Sequence, residues 1–320
     1  MSAANAVLPG TRSVGLDIGG TKTHGVVLGE DGTILAQVRE STRPGADGVV
    51  ATAARVFEAL ARESGGSLQC GVGVGVPGLV DSERGMLRHA VNLDVNGDDL
   101  PLRDLLAERL GVPVVVENDV NAAALAEQAH GHGRGISDFA FVSIGTGIGL
   151  GLVIGGQLHR GAHGAAGEIG FLPQPSGHPG DARDARRRGP LEAAASAAGI
   201  VRAARRAGLR GRLTARSVFA AAEGGDRRAG AVVATEAQLI ARALCTVVAV
   251  ADPELVVLGG GVGQADGFLT AVTREVRRMA PVLPELRVSA LGTDAVVDGC
   301  LAAGLDQAWQ IVTARLAAPA

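Results

Sequence analysis

Tyrosine is absent from the 320 residues, and Phe and Trp together bring the aromatic share to only 2%. The core must therefore come from Ala, Val, Leu and Ile, and at 47% hydrophobic content the chain can fill more than one compact unit. Lysine is almost missing too, since the 30 basic residues are 29 arginines and Lys22. Cys70, Cys245 and Cys300 are odd in number and far apart, which excludes a disulfide framework and a CxxC metal clip. No positively charged start followed by an apolar run opens the chain, and no apolar stretch reads as long enough to cross a membrane. The formal net charge of −3 and a sequence pI of about 6.2 give no footprint for nucleic acid or an anionic membrane. The expectation is a soluble cytoplasmic protein without a nucleic-acid or membrane partner.

What the chain has in abundance is glycine, 48 of them, punctuating short apolar runs. Val14 to Asp17 reads as a strand stopped by Gly19-Gly20, with Thr23 to Leu28 returning and Thr33 to Arg39 alternating as a third strand. Helical spacing covers Asp47 to Glu63, Pro101 to Leu110 and Asn121 to Gln128, with strands predicted at Cys70 to Val76 and Val112 to Val116. The opening then recurs: Phe139 to Ser143, a Gly-rich turn and Gly149 to Ile154 repeat strand, turn, strand 126 residues later, placing Asp17 on Ser143 and Gly25 on Gly151. A surface excursion is expected over Pro173 to Gly189. A helix follows over Leu191 to Ala207, then a long apolar helix over Ala229 to Ala251, a strand at Leu255 to Leu258 and a loop over Gly259 to Gly263. A strand at Leu286 to Ala290 and a terminal helix over Ala302 to Leu316 complete the reading. Two related α/β lobes result, 12–126 and 127–301, with the 302–316 helix packing back on the first.

Three segments carry chemistry. A Gly-rich turn between strands, followed by Thr21 and the sole lysine, Lys22, offers close backbone N–H groups and a compact ammonium to a phosphate; a hairpin with an incidental lysine is the bland alternative. Glu117-Asn118-Asp119 ends a strand, the place where open α/β sheets bind ligands. Asp119 there is either a carboxylate able to take a hydroxyl proton or the cap of the following helix. Gly73 to Gly78 matches the dinucleotide pattern GxGxxG, but Pro77-Gly78-Leu79 reads as a turn where that pattern needs a helix. The Arg186-Arg187-Arg188 run is too short to imply nucleic acid and reads as solvated surface.

Leu16 to Lys22 resembles the phosphate-binding opening of the ROK family, the sugar kinases and sugar-responsive repressors of the actin/hexokinase superfamily. Ser143 to Gly149 is similar to its second phosphate loop, Leu258 to Gly263 to its adenosine loop, and Gly161 to Gly170 to its sugar-binding loop. The resemblance covers almost the whole chain and implies an actin-like ATPase (ribonuclease H-like) fold, two lobes around a cleft. ATP would lie on Asp17, Gly19, Gly20, Thr21 and Lys22 from one lobe and on Gly145, Thr146, Gly147, Gly260 and Gly261 from the other. Asp17 would order Mg²⁺ through water, and Asp119 would be the general base. Sugar would meet Asn92, Asn118, Glu168 and Glu192, although Asn92 could equally be a solvated turn residue. Two departures stand out: Phe171 replaces the family's His, and Pro175 to Pro190 holds no Cys where the zinc loop belongs, so no zinc is expected. Only 13 residues precede Val14, so the repressors' DNA-binding domain is not expected. The resemblance thus implies ATP-dependent phosphorylation of a hexose or N-acetylhexosamine, with a homodimer common among relatives. An inactive sugar sensor acting through a protein partner is the alternative.

Overall fold

The computed structural model describes residues 12–66, 68, 70–95, 99–174 and 182–304. They divide into two compact units: one holds the described residues up to Ala126 with Ala162–Ala165 and those from Asp294 onward, the other Glu127–Gly161 and Ala166–Thr293.

The first unit runs β1 (Arg12–Ile18), β2 (Lys22–Leu28), β3 (Ile34–Ser41), α1 (Ala46–Glu63), β4 (Cys70–Val76), β5 (Leu79–Asp81), β6 (Met86–Arg88), α2 (Leu102–Leu110), β7 (Val114–Asn118) and into α3 (Asp119–His130). Its main sheet has the order β3-β2-β1-β4-β7, antiparallel across β3, β2 and β1 and parallel from β1 to β7. Period-2 alternation gives this sheet two faces. Val14, Leu16 and Ile18 join Val72, Val74 and Val76 and the α1 residues Val49, Val56 and Leu60 in one core.

On β1 and β4 the opposite face carries Ser13, Gly15, Gly71, Gly73 and Gly75, and a helix over residues 295–304 lies on it, with Val297 and Leu301 packed against Val26 of β2. Ser13 Oγ donates to the Leu301 carbonyl at 2.7 Å. A Cβ on Gly15 would stand 2.8 Å from the Val297 carbonyl oxygen, and one on Gly73 only 1.9 Å from that of Cys300. The Gly-Val alternation of Gly71 to Val76 is therefore a strand whose glycines seat a helix, and β5, not a helix, follows it. Of the expected helix at 302–316, the part beyond 304 lies outside the described residues.

The second unit runs β8 (Phe139–Ile144), β9 (Ile148–Ile154), β10 (Gln157–Leu158), α4 (Ala182–Arg188), α5 (Pro190–Ala195), α6 (Ala197–Arg206), α7 (Ala215–Glu223), α8 (Arg227–Ala251), β11 (Leu255–Gly259), α9 (Gly260–Gly263), α10 (Phe268–Met279) and β12 (Glu285–Val288). Its sheet, β10-β9-β8-β11-β12, has the same wiring as the first, an antiparallel hairpin continued by two parallel strands. The internal echo is thus architectural. It holds through the first strand and turn but slips by one in the returning strand. Leu16 pairs with Gly25, whereas the corresponding Val142 pairs with Leu150 and not with Gly151, because the second turn is one residue shorter.

Several sequence expectations need correction. The helix expected over Leu191 to Ala207 is two helices, broken at Ser196, whose extended backbone and Oγ cap α6 by accepting from Gly199 N–H. Residues 182–188 of the expected excursion form α4, the Gly259 to Gly263 loop contains the single turn α9, and the last strand is Glu285–Val288. The helix α8 is long and apolar enough, by length and composition, to cross a membrane, contrary to the sequence reading. Its Leu239, Ile240, Leu244 and Val247 are buried in the second unit's core, which accounts for the apolarity.

Candidate active site

In the first unit the β1–β2 turn is closed by Gly19 N–H donating to the Lys22 carbonyl at 2.9 Å. Gly20 is needed there because a Cβ would come within 2.6 Å of the Asn92 carbonyl oxygen, on a 3₁₀ turn spanning Val91–Leu93. The fold thus brings Asn92 to the turn carrying Thr21 and Lys22, both exposed. Asp17 lies one pair before this turn, opposite His24 on β2 and Gly75 on β4, and Gly75 in turn pairs with Glu117 on β7. Asp17, Glu117 and Asp119 therefore gather at the carboxyl ends of β1 and β7, the end of an open sheet where ligands bind.

Capping of α3 falls mainly to Asn118. Its Oδ1 accepts from Val120 N–H at 2.9 Å and Asn121 N–H at 3.1 Å, while its Nδ2 donates to the Gly78 carbonyl at 3.1 Å. Glu117 is buried and accepts from Asn118 N–H and Asn121 Nδ2. Asp119 accepts from Val120 N–H at 2.9 Å and from its own backbone N–H. Sequence reasoning quoted Glu117 without giving it a task; its place in the Glu-Asn-Asp run was the available signal. It used Cys300 only to exclude a disulfide framework and a metal clip; the place of this buried thiol against Gly75, beneath these carboxylates, was not legible, because no local pattern links residues so far apart.

In the second unit Gly145 N–H donates to the Gly147 carbonyl at 2.9 Å, and Ala197 N–H at the start of α6 donates to the Gly145 carbonyl. Glu192 holds the far side of the turn, accepting from Ile148 N–H at 2.8 Å; its other oxygen is 3.7 Å from Arg188. Gly260, at φ +73°, fits where a Cβ would lie 2.4 Å from the Ile144 carbonyl oxygen, and Gly261 N lies 3.8 Å from the Cβ position of Gly145. Thr146, Gly260 and Gly261 thus share one neighbourhood. Glu168 precedes a 3₁₀ turn over Ile169–Phe171, and Phe171 is 44% exposed. Of the Cys-free stretch Pro175 to Pro190, residues 175–181 lie outside the described residues, and Asp184 pairs with Arg188 and Arg202.

The model of the ROK family matches residues 13–302. The chain belongs to the ROK family. It is 34% identical to a glucokinase of Halalkalibacterium halodurans, over 89% of this chain and 92% of that one. It is 36% identical to the bifunctional enzyme NanE/NanK of Brucella suis over 92% of this chain and 53% of that one. Among solved structures, a ROK glucokinase of Streptomyces griseus in complex with glucose and AMPPNP superposes with a TM-score of 0.79 at 29% identity, covering 92% of this chain and 99% of that one. The ROK kinases share the two-unit actin-like architecture, and the twice-used sheet wiring described above is its signature here.

Burial, then the neighbouring Asp119 carboxylate, raises the pKa of Asp17 to about 7; Lys22 opposes this and Asp294 adds to it. Burial raises Asp119 to about 6 against the hydrogen bond from Val120. This is a site short of positive charge. Among the described residues no cluster of three or more His, Cys, Asp or Glu could hold a metal by itself. A Mg²⁺ that keeps most of its waters and takes its other ligands from phosphates fits one carboxylate at Asp17. A sign follows for stability. Both groups have folded pKa values above their ordinary ones, so between about pH 4 and pH 7 the folded chain keeps protons that the unfolded chain has lost. Stability from these two groups is therefore highest in acid and declines as pH rises through that window. Thermal melts of ligand-free protein should show this slope, shallower in Asp17→Asn; an equal slope in that variant would contradict the assignment.

Proposed function

We propose that this ROK protein transfers the terminal phosphoryl group of Mg-ATP to a hydroxyl of a hexose or N-acetylhexosamine, with Asp119 as the general base. The observation that carries this reading is the division of labour at Asn118 and Asp119. Asn118 caps the helix, and Asp119, pushed up to about 6, accepts from the backbone N–H groups of Val120 and of Asp119 itself at the end of β7. Such a carboxylate is ionised at neutral pH yet basic enough to accept a hydroxyl proton as the new bond forms.

The chain's own residues then have distinct tasks. The backbone N–H groups of Gly19 to Lys22 and Gly145 to Gly147, with the Lys22 ammonium, hold phosphate oxygens. Asp17 orients the hydration shell of Mg²⁺, and the metal, when bound, neutralises charge building on the phosphoryl oxygens. Gly260 and Gly261 leave room for the nucleoside. Asn92 and Glu168 bind sugar hydroxyls, while Asn118 and Glu192, whose polar atoms are held by Gly78 and Ile148, position the elements that do so. The name of one sequence relative, glucokinase, supports a sugar acceptor.

The test is to incubate the protein with Mg-ATP and a panel of hexoses and N-acetylhexosamines, following ADP release. Sugar-dependent release with at least one member is expected. Sugar binding with no turnover by any member would replace this reading with the sensor.

A further inference from the structure

Helix α6 leaves directly from the second phosphate turn. Its first residue, Ala197, donates its N–H to the Gly145 carbonyl at 2.8 Å. Residues four apart share one face of a helix, so Ala197, Val201 and Arg205 form a stripe that starts at the turn and ends about 12 Å along the axis. The start of α7 contributes Thr214 and Ala215, and with Thr146, Ala198 and Arg202 these residues line a 480 Å³ depression. Pockets that take small ligands typically measure about 300–1,000 Å³. Every lining residue belongs to the second unit.

The lining selects among ligands. Ala197, Ala198, Val201 and Ala215 offer methyl groups and no hydrogen bonds, which suits the flat face of a ring better than a phosphate or a sugar rich in hydroxyls. Most of the polar side chains are already engaged. Thr214 Oγ1 accepts from Ser217 N–H at 3.1 Å in the capping box of α7. Arg202 donates to the Asp184 carboxylate at 2.8 Å and to the Ala193 carbonyl at 2.6 Å. The Arg205 guanidinium is exposed and has no hydrogen-bond or ion-pair partner among the described residues. No carboxylate or side-chain amide lines the depression. Adenine presents an amino donor at N6 beside the N7 acceptor, a pattern matched by an amide; a 6-oxopurine presents two acceptors, O6 and N7, matched by the paired N–H groups of a guanidinium. The free group two turns from the phosphates therefore matches guanine.

We propose that this depression holds the base of the donor nucleotide and that Arg205 donates to O6 and N7 of a 6-oxopurine, so that the chain uses GTP at least as well as ATP. This rests on the kinase reading above and concerns only which donor that reaction takes. The transfer is otherwise the same. The bond from the terminal phosphorus to its bridging oxygen breaks, the oxygen leaves on GDP, and the phosphorus bonds to the acceptor hydroxyl oxygen as its proton passes to the general base.

The test compares the full chain with Arg205→Gln and with Ala198→Phe, which fills the depression. For each, the affinities for ATP, GTP, ITP and UTP are measured with Mg²⁺ and no sugar, and kcat/KM is measured for each nucleotide across the sugar panel. For the full chain, GTP and ITP should match or exceed ATP, and UTP, which lacks N7, should fall below all three. In Arg205→Gln the ratio of GTP to ATP should drop at least about tenfold, because an amide suits adenine. The ratio is the informative quantity: the four nucleotides carry the same phosphates, so loss of a charge that met only phosphate would weaken all of them alike. In Ala198→Phe all four should bind more weakly. An unchanged ratio in Arg205→Gln, unchanged affinities in Ala198→Phe, or UTP equal to GTP in the full chain would each overturn the proposal. Turnover with ATP but not GTP also overturns it and leaves the kinase reading intact. Turnover with no nucleotide removes the kinase reading, and the affinities then decide the base site on their own.

Discussion

Replacing Asp119 with Asn is expected to lower kcat for sugar phosphorylation by about 10²- to 10⁴-fold while changing the KM for Mg-ATP little. The amide is nearly isosteric, and its oxygen can still accept from Val120 N–H, so the start of α3, capped by Asn118, stays in place. What is lost is the proton acceptor. A second consequence is electrostatic. The Asp119 charge is, after burial, the largest cause of the raised Asp17 pKa, so Asp17 should titrate lower in the variant. The two effects separate in a pH profile. If Asp119 is the base, the acid limb of kcat near pH 6 disappears with the main loss of rate; if it only positions the helix, the limb survives on a smaller plateau. Steady-state kinetics across pH, with thermal melts confirming that the variant is folded, decide this, and a variant retaining more than about a tenth of the activity would end the assignment.

The features legible in the sequence are those whose cause is local. The β1–β2 turn was readable because Gly19, Gly20 and Lys22 are adjacent, and the doubled architecture because the echo at Ser143 to Gly149 lies in one continuous segment. Asn118 and Asp119 stood side by side, but their division of labour needed the coordinates, since either side chain can cap a helix. Ser196 broke a helix that Ala-rich periodicity presents as unbroken, because Ala packs on either side of a break equally well. Least legible was the underside of the site. Gly15, Gly73 and Gly75 fall in predicted strands, the last two also in a discounted dinucleotide pattern, and only the arrival of helix 295–304, more than 200 residues later, shows that they are a seat.

That seat carries the second large effect, because Gly73→Ala should destabilise the first unit by about 3 kcal/mol, at the upper end of what overpacking costs. The added Cβ would lie 1.9 Å from the Cys300 carbonyl oxygen, 2.8 Å from its carbon and 2.9 Å from Gly304 N, all backbone atoms, so no side-chain rotation can relieve the clash. Gly73 has no positive φ, so the strain is one of space alone. Helix 295–304 must lift from β4, and Cys300 is the residue that also rests against Gly75, whose Cβ position is 3.7 Å from the Cα of Asp119. The expected result is therefore double: a melting midpoint lower by roughly 6–12 °C in a unit of this size, and a fall in kcat as the floor under Asp119 shifts. Gly230→Ala is the control. It lies inside α8 with nothing within 4 Å of its Cβ position, and the same chemical change there should be neutral or stabilising by up to about 1 kcal/mol. A Gly73→Ala protein melting with the parent would mean that the helix gives way at little cost, and that the base at Asp119 is held by β7 and the Asn118 cap alone.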